Sequence, residues 1–324
     1  MAYRLKIGEQ VQEGVRRIAG EQIDKATRHL AAGERDRDTH VHEARKCMKR
    51  LRGLLRMARG QLPAEVYSRE NTCFRDAARG LGGLRDAQAL VESLDDLVAG
   101  LGSRAPRSRF APIRSWLVAR RGSAYADDGT ASEVLAGLLG ELEAAGERVD
   151  SWPLEQDGWE GLSRGVRRVY ARGRAERDWA SWRPSAEAFH AWRKRVKYLW
   201  YQTQLLGEVW PVLMAASAAE LDLLGDLLGK DHDLALLIET VRVGFSRSGA
   251  ASTADALERR IGERRTKLQA QAQVLGIRAY SELPGAFERR LGGYWQAWEE
   301  EQIQSAIPAP RSNGTDRSTE ISGR

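Results

Sequence analysis

Cysteine and long apolar runs are scarce in this sequence. Two cysteines, Cys47 and Cys73, occur among the 324 residues, and neither belongs to a paired-cysteine motif. We therefore expect reduced thiols in a cytoplasmic protein, without disulfides or a cysteine-bound metal. The polar N-terminus, MAYRLKIGEQ, lacks the apolar core of a signal peptide. No stretch approaches the roughly 18 apolar residues of a membrane helix, so we expect no membrane span.

Proline is also rare, with nine residues, and alternating runs of Val, Ile and Thr are absent. Apolar residues instead recur at three- and four-residue spacing, which is typical of amphipathic helices. We expect helix breaks at 31–38, 59–65, 99–108, 126–132 and 149–158, and then at SWRPSAE, GEVWP, SRSGAAST and SELPG. The pattern predicts an all-α protein of about ten helices, with a disordered polar tail at 306–324.

Three pairs of similar segments indicate an internal duplication. They keep the same order at offsets of 147 to 151 residues: GVRRI with GVRRV, VHEARKCMKRLR with FHAWRKRVKYLW, and LGGLRDAQAL with LGKDHDLALL. A repeat this long indicates a duplicated half, because solenoid repeats span about 20–50 residues. We therefore predict two helical halves, at 1–150 and 151–305.

A cation-rich helix face is the main functional feature. Seven side chains share one arc of about 160° on a helical wheel, opposite an apolar arc. This first basic stripe consists of His42, Arg45, Lys46, Lys49, Arg50, Arg52 and Arg56. From Arg45 to Arg59 there are seven cations and no acid. A solvated face normally interleaves acids at i,i+4, because like charges at that spacing repel. We therefore interpret the stripe as a polyanion-binding surface.

The second copy carries a thinner basic stripe on the same kind of face. This second basic stripe consists of His190, Arg193, Lys194, Lys197 and Tyr201. Neighbouring cations disfavour a protonated histidine, whereas a bound phosphate would favour it. We therefore expect His42 and His190 to donate hydrogen bonds to anionic oxygen. A metal role is not expected, because a cationic face repels metal ions.

The two LGxxxD segments allow two interpretations. Their glycines, Gly82 or Gly83 and Gly229, are expected to end or kink a helix. The aspartates then either cap the following segment or orient the cations of the stripes by salt bridges. Both interpretations stay open, and the supporting residues they concern are Asp86, Asp233 and Arg85.

Two copies of H-x-x-R-[KR]-x-x-K, each followed about forty residues later by LGxxxD, resemble the CHAD family, the conserved histidine α-helical domain. The resemblance covers residues 1–305 and implies two four-helix-type bundles related by a pseudo-twofold, with a basic channel between them. It also implies binding of inorganic polyphosphate, a place on polyphosphate granules, and polyphosphate-metabolising partner proteins. The residues of both stripes would then be the polyphosphate contacts. The chain has no room for the triphosphate-processing domain of many members, so we expect a stand-alone member.

Three other functions share the electrostatics of a basic surface. Nucleic-acid binding would add aromatic side chains for stacking or a recognisable module, and neither is evident. Phosphotransfer on His42 would need far fewer cations than the first basic stripe offers. A phosphohydrolase needs carboxylates or a metal beside the cations, and Asp86 and Asp233 lack such neighbours in the sequence. We therefore expect a binding protein without catalytic residues, cofactor or metal.

Overall fold

A computed structural model describes residues 3–32, 37–100, 107–125, 128–245 and 251–306. Every regular element within these ranges is a helix, which confirms the all-α prediction. The α-helices are α1 (Val11–Ala31), α2 (Arg37–Met57), α3 (Ala64–Gly80), α4 (Gly82–Ala99), α5 (Ala111–Tyr125), α6 (Asp128–Val149), α7 (Glu160–Trp182), α8 (Ala186–Leu205), α9 (Pro211–Gly244), α10 (Ala251–Ala279) and α11 (Pro284–Ala306), with short 3-10 helices η1 (Ala58–Gly60) and η2 (Arg107–Phe110). No helix of the described chain is long and apolar enough to span a bilayer.

The helix boundaries follow the predicted breaks, and the two LG segments behave differently. Leu81 separates α3 from α4, so the first segment does end a helix. Helix α9 instead runs through Gly229, so the second segment does not end a helix. Asp233 lies inside α9, and Asp86 lies inside α4 beyond its N-cap residue. The capping interpretation of both aspartates was therefore wrong.

The apolar face of α2 is buried as its periodicity predicts. It contributes Val41, Ala44, Cys47, Met48, Leu51, Leu54 and Leu55 to the largest core, where α1, α3 and α6 also pack. Each valine, leucine or methionine among them contributes about 1.5–3 kcal/mol when it leaves water. Burial of this face fixes the rotation of α2, and the first basic stripe consequently points away from that core.

The hydrophobic cores contain residues from both sides of the predicted boundary near residue 150. The largest core also takes Leu205 of α8 and Trp295 of α11. A second core packs Ile113 of α5 against Leu237 of α9 and Leu257 of α10. The two sequence halves therefore fold against shared cores, although the duplication itself stays a prediction. The predicted tail, 306–324, lies outside the described residues except for Ala306, the last residue of α11.

Two glycines let α2 approach α7 and α8 closely. A Cβ atom built on Gly53 of α2 would lie 2.9 Å from the Cβ of Tyr201. A Cβ atom on Gly165 of α7 would lie 2.5 Å from the backbone oxygen of Arg56 and would overlap that of Met57. Backbone oxygens cannot swing aside as a flexible side chain does, so glycine is required at position 165. This packing places the C-terminal end of α2 directly beside α7.

Candidate functional site

The two basic stripes lie side by side because α2 packs on α8. The guanidinium carbons of Arg52 and Arg56 lie 5.9 and 3.9 Å from the ring centroid of Tyr198 in α8, as cation–π contacts. Partial burial, together with the charges of Arg195 and Arg52, lowers the pKa of Lys194. A cation of the first basic stripe therefore acts electrostatically on one of the second. Cations of the two stripes therefore lie near each other across the contact between α2 and α8.

An arginine-rich pocket lies at this contact, where α2, η1, α3, α7 and α8 meet. Besides Val169, this arginine pocket is lined by five arginines and two tyrosines: Arg56, Arg59, Arg168, Arg172, Arg195, Tyr67 and Tyr198. None of the residues that line it is acidic. Burial lowers the pKa of Arg56, and the charges of Arg52 and Arg172 lower it further. The pocket therefore concentrates positive charge where water is partly excluded, which favours binding of an anion.

The tyrosines of the arginine pocket hold its guanidinium groups in place. Arg59 lies over Tyr67 with its guanidinium carbon 4.4 Å from the ring centroid, and Arg56 lies over Tyr198. Arg56 also donates a hydrogen bond of 2.7 Å to the backbone oxygen of Arg52. Stacking covers the flat face of a guanidinium but leaves the N–H groups at its edge directed outward. The two arginines are thus oriented before any ligand arrives.

Helix α7 extends the basic surface beyond the pocket. Its Arg164, Arg167 and Arg168 line, together with Arg59, an open cavity of about 380 Å³. With Arg172, these α7 arginines recur at three- and four-residue spacing and so share one helix face. Within the described ranges, no carboxylate lies within 4 Å of their charged nitrogens. The segment GVRRV indicated only a duplication, although the three- and four-residue spacing of these arginines also predicts a basic face on α7.

In the corresponding segment of α1, GVRRI, both arginines are instead engaged within the fold. Arg17 forms ion pairs with Glu9 and Glu21, the latter at 3.1 Å. Arg16 donates a hydrogen bond of 2.8 Å to the backbone oxygen of Trp152. The charges of these two arginines are thus used within the fold, so the segments GVRRI and GVRRV contribute unequally to the basic surface.

Several residues of the first basic stripe also have structural contacts. Nη1 of Arg45 donates to the backbone oxygens of Leu81 and Gly82, each at 3.2 Å, and so ties α2 to the junction of α3 and α4. Lys46 forms an ion pair of 2.8 Å with Glu43. The interpretation of an uncompensated stripe therefore needs correction, because an acid one turn before Lys46 offsets part of its charge.

The second basic stripe likewise has fewer residues available to a ligand than expected. Lys197 pairs with Asp222 at 2.9 Å and Asp226 at 3.5 Å, both from α9. Tyr201 is 4% exposed and packs on Gly53, so its ring belongs to the core. This burial contradicts its expected place among the polyphosphate contacts. His190, Arg193 and Lys194 remain at the surface, either half-buried or exposed.

The second LG segment also contains a buried acid that the sequence pattern did not identify. Asp231 is 1% exposed and accepts hydrogen bonds from Nε of Arg265 at 2.9 Å and from Nε2 of Gln269 at 2.8 Å. It thereby joins α9 to α10, a role that sequence spacing did not reveal. That Asp233 orients the stripe cations stays a prediction. Arg85 and Asp86 lie in α4 with side chains outside the described part of the chain.

Gly229 has a packing role at the second LG segment. A Cβ atom on Gly229 would lie 3.3 Å from Nε of Arg193, so the small residue makes room for that arginine. Arg45 contacts the backbone of the first LG segment in a comparable place. In both halves, therefore, the first arginine of the stripe lies against an LG segment.

A stacked pair of histidines lies beside the second basic stripe. The rings of His190 and His232 are 3.8 Å apart between centroids and inclined by 24°. Burial, then the neighbouring charges of Arg193 and Lys194, lowers the pKa of His232 to about 4. Burial also lowers the pKa of His190 to about 4. Both rings are therefore neutral at pH 7, and His232, in α9, is a member of the site that the sequence did not reveal.

The histidine pair predicts a loss of stability in acid. The pKa of each ring falls from 6.5 in the ordinary case to about 4 in the fold, so the unfolded chain takes up protons first as the pH drops. The stabilisation is thus complete above about pH 6.5 and is lost towards about pH 4. We expect the pair to contribute about 1–2 kcal/mol, allowing for the partial exposure of both rings.

Urea unfolding at pH 7 and at about pH 4.5 measures this effect. In the double variant His190→Gln/His232→Gln, the difference in the free energy of unfolding between the two pH values should be smaller by about 1–2 kcal/mol. The loss caused by protonation of carboxylates remains in both proteins and serves as the internal reference. An unchanged difference in the double variant would contradict the assignment of neutral rings.

Comparison with known proteins supplies one family. Among curated proteins, no match is found. The family model described as the CHAD domain matches residues 17–242. The matched range holds both basic stripes, the α7 arginines and the whole arginine pocket. It ends before α10 and is therefore shorter than the expected range, 1–305. Since this match covers well over half of the 324 residues, the chain belongs to the CHAD family.

Proposed function

We propose that this protein binds inorganic polyphosphate along the surface formed by α2, α7 and α8. The observation that carries the proposal is the arginine pocket, which five arginines and no acid line, although one of them, Arg195, pairs with Glu176 at 3.5 Å. Polyphosphate carries about one charge per unit and has no bases, so its affinity must come from charge neutralisation and charge-assisted hydrogen bonds. Arginine suits this ligand because its planar fork can bind two phosphate oxygens at once.

The shape of the surface favours a linear polyanion over a single phosphate. Arg59 and Arg168 belong both to the arginine pocket and to the open cavity on α7. Helix α8, which carries the second basic stripe, also lines the pocket through Arg195. A flexible chain of phosphates can therefore follow the three helices and neutralise cations along its whole path.

The protonation of the histidine pair should change when polyphosphate binds. A phosphate near Arg193 and Lys194 would offset the two charges that help to keep the neighbouring rings neutral. His190 would then take up a proton and donate a hydrogen bond to anionic oxygen. Polyphosphate binding would therefore be accompanied by proton uptake between about pH 4 and 6.5.

The surface is less suited to nucleic acid, the principal alternative. Proteins that bind single strands usually stack bases on aromatic rings. Both tyrosines of the arginine pocket already carry an arginine on one face: Tyr67 carries Arg59 and Tyr198 carries Arg56. Stacking of bases on those faces would have to displace these guanidinium groups, which are themselves the anion-binding groups.

We further propose that the protein acts as a binding or targeting module on cytoplasmic polyphosphate granules, with polyphosphate-metabolising proteins as partners, and not as an enzyme. Support comes from the donor set, because cations line the arginine pocket without a carboxylate to serve as a base. Phosphotransfer on His42 is a weaker alternative, because one phosphoryl group would use few of these cations.

A salt titration with polyphosphate and RNA of equal phosphate number tests the proposal. With roughly ten contacts, the log–log slope against salt should be about −7, at about −0.7 for each contact of a single strand. We expect polyphosphate to bind at least about tenfold more tightly than RNA, because it packs more charge into each length of chain. Equal or tighter binding of RNA would reject polyphosphate as the ligand.

A further inference from the structure

A second cavity lies between α7, α8, α9, α10 and α11 and shares no residue with the arginine pocket. Its volume is about 360 Å³, within the range of about 300–1,000 Å³ that is usual for small-molecule sites. Its deep wall is mostly apolar and is formed by Val166, Leu199, Leu206, Met214, Leu221 and Leu291. The cavity is thus large and apolar enough to hold a small organic molecule.

One polar side chain stands out among those apolar residues. Gln202 of α8 lines the cavity and is 1% exposed. In the described part of the chain, neither its Nε2 nor its Oε1 has a hydrogen-bond partner. The adjacent Thr203, by contrast, donates its hydroxyl to the backbone oxygen of Leu199 at 3.0 Å. A buried amide without partners is uncommon in proteins and calls for a ligand or another explanation.

The mouth of the cavity carries no net charge. Two acids, Glu220 and Glu282, lie there with two bases, Arg278 and Arg290. Arg290 and Glu282 already form an ion pair of 2.6 Å. This balance differs from the acid-free arginine pocket, so the cavity is not another polyanion site. It favours a neutral ligand, since a buried charge would find no opposite charge deep in the cavity.

From these features we infer that the cavity binds a small neutral molecule with an apolar body and a carboxamide group at its buried end. A carboxamide offers one acceptor and a donor side by side and can therefore satisfy both Oε1 and Nε2 of Gln202, which are buried and must turn towards the cavity to meet it. The apolar body would fill the space between the surrounding leucine, valine and methionine side chains and contact them directly. This inference is independent of polyphosphate binding.

Titration calorimetry with three matched probes tests the inference: octanamide, methyl octanoate and octanoate. Octanamide should bind at least about tenfold more tightly than methyl octanoate, which accepts but donates no hydrogen bond. Octanoate should bind more weakly than octanamide, because its charge must leave water. In Gln202→Leu, which keeps a similar volume without an amide, the preference for octanamide over methyl octanoate should fall to about one.

A blocked mouth provides the second test. Ala216 is exposed and lines the cavity, whereas its exposed neighbour Ala215 does not line it. Ala216→Trp should therefore abolish octanamide binding, and Ala215→Trp should leave it unchanged. The inference is overturned if octanamide fails to bind the unmodified protein, if its binding survives Ala216→Trp, or if its preference over methyl octanoate persists in Gln202→Leu. Polyphosphate affinity, measured on the same variants, should not change, so either conclusion can fail without the other.

Discussion

Reversing the charges of Arg168 and Arg172 together should lower the affinity for long-chain polyphosphate by about a hundredfold or more. Each substitution to Glu removes a charge-assisted hydrogen bond worth about 1.5–3 kcal/mol and adds a repulsion. Both arginines line the arginine pocket, and both are exposed. Fluorescence titration with labelled polyphosphate measures the affinity, and circular dichroism checks that the helical content is unchanged.

Substitution of these two arginines tests binding with less effect on stability than substitution in the first basic stripe would have. Arg45 holds the backbone oxygens of Leu81 and Gly82, so its reversal would also weaken the α3–α4 junction. Arg168 and Arg172 have no carboxylate within 4 Å among the described residues. Their replacement should therefore change the free energy of unfolding by no more than about 0.5 kcal/mol, as is usual for such surface positions.

A matched control distinguishes a local site from a general charge effect. Arg259 and Arg264 are exposed residues of α10, outside both arginine-lined cavities. Their double reversal to Glu changes the net charge equally and should reduce affinity by only about threefold, through screened long-range effects. The salt slope should become shallower by about 1.4 in the pocket variant, at about 0.7 for each arginine that no longer binds a phosphate. Equal reductions in affinity in the two double variants would refute the pocket as the binding site.

Gly165→Ala is expected to be the most damaging small substitution in this protein. The added methyl group would lie 2.5 Å from the backbone oxygen of Arg56 and would overlap that of Met57. Since neither oxygen can rotate away, α7 must move relative to the end of α2. We expect the free energy of unfolding to fall by about 3 kcal/mol, the upper part of the range for overpacking. Chemical denaturation gives this value directly.

The same variant should also bind polyphosphate more weakly. Arg56 of α2 and Arg168 of α7 both line the arginine pocket. A displacement of α7 would separate them, and we expect about a tenfold weaker binding of the folded fraction because the donors no longer keep a fixed arrangement. Titration at low temperature, where the variant stays folded, measures this reduction.

Gly293→Ala is the control for this substitution. Gly293 lies in α11 with nothing within 4 Å of an added Cβ atom. The change should stabilise the protein by up to about 1 kcal/mol through helix propensity and leave binding unaltered. Equal stability of Gly165→Ala and the unmodified protein would show that the contact between α7 and the end of α2 is less close than described.

The sequence by itself determined the helices and the orientation of their apolar faces. Helix breaks and the buried face of α2 follow from periodicity and from turn-forming residues, which act within a few positions of the chain. The same local information identified His190, Arg193 and the cations of α2 as a basic surface. It also identified the family, because the motif H-x-x-R-[KR]-x-x-K is contiguous.

Tertiary structure alone decided which cations remain available to a ligand. GVRRI and GVRRV are nearly the same sequence, yet Arg17 is neutralised by Glu9, whereas Arg168 faces other arginines. Lys197 looked equivalent to the other stripe residues until α9 placed Asp222 beside it. The charge around a side chain depends on elements far away in the sequence, and Coulomb interactions act through space and not along the chain. For this physical reason the arginine pocket, the histidine pair and the Gln202 cavity appeared only when the helices were packed together.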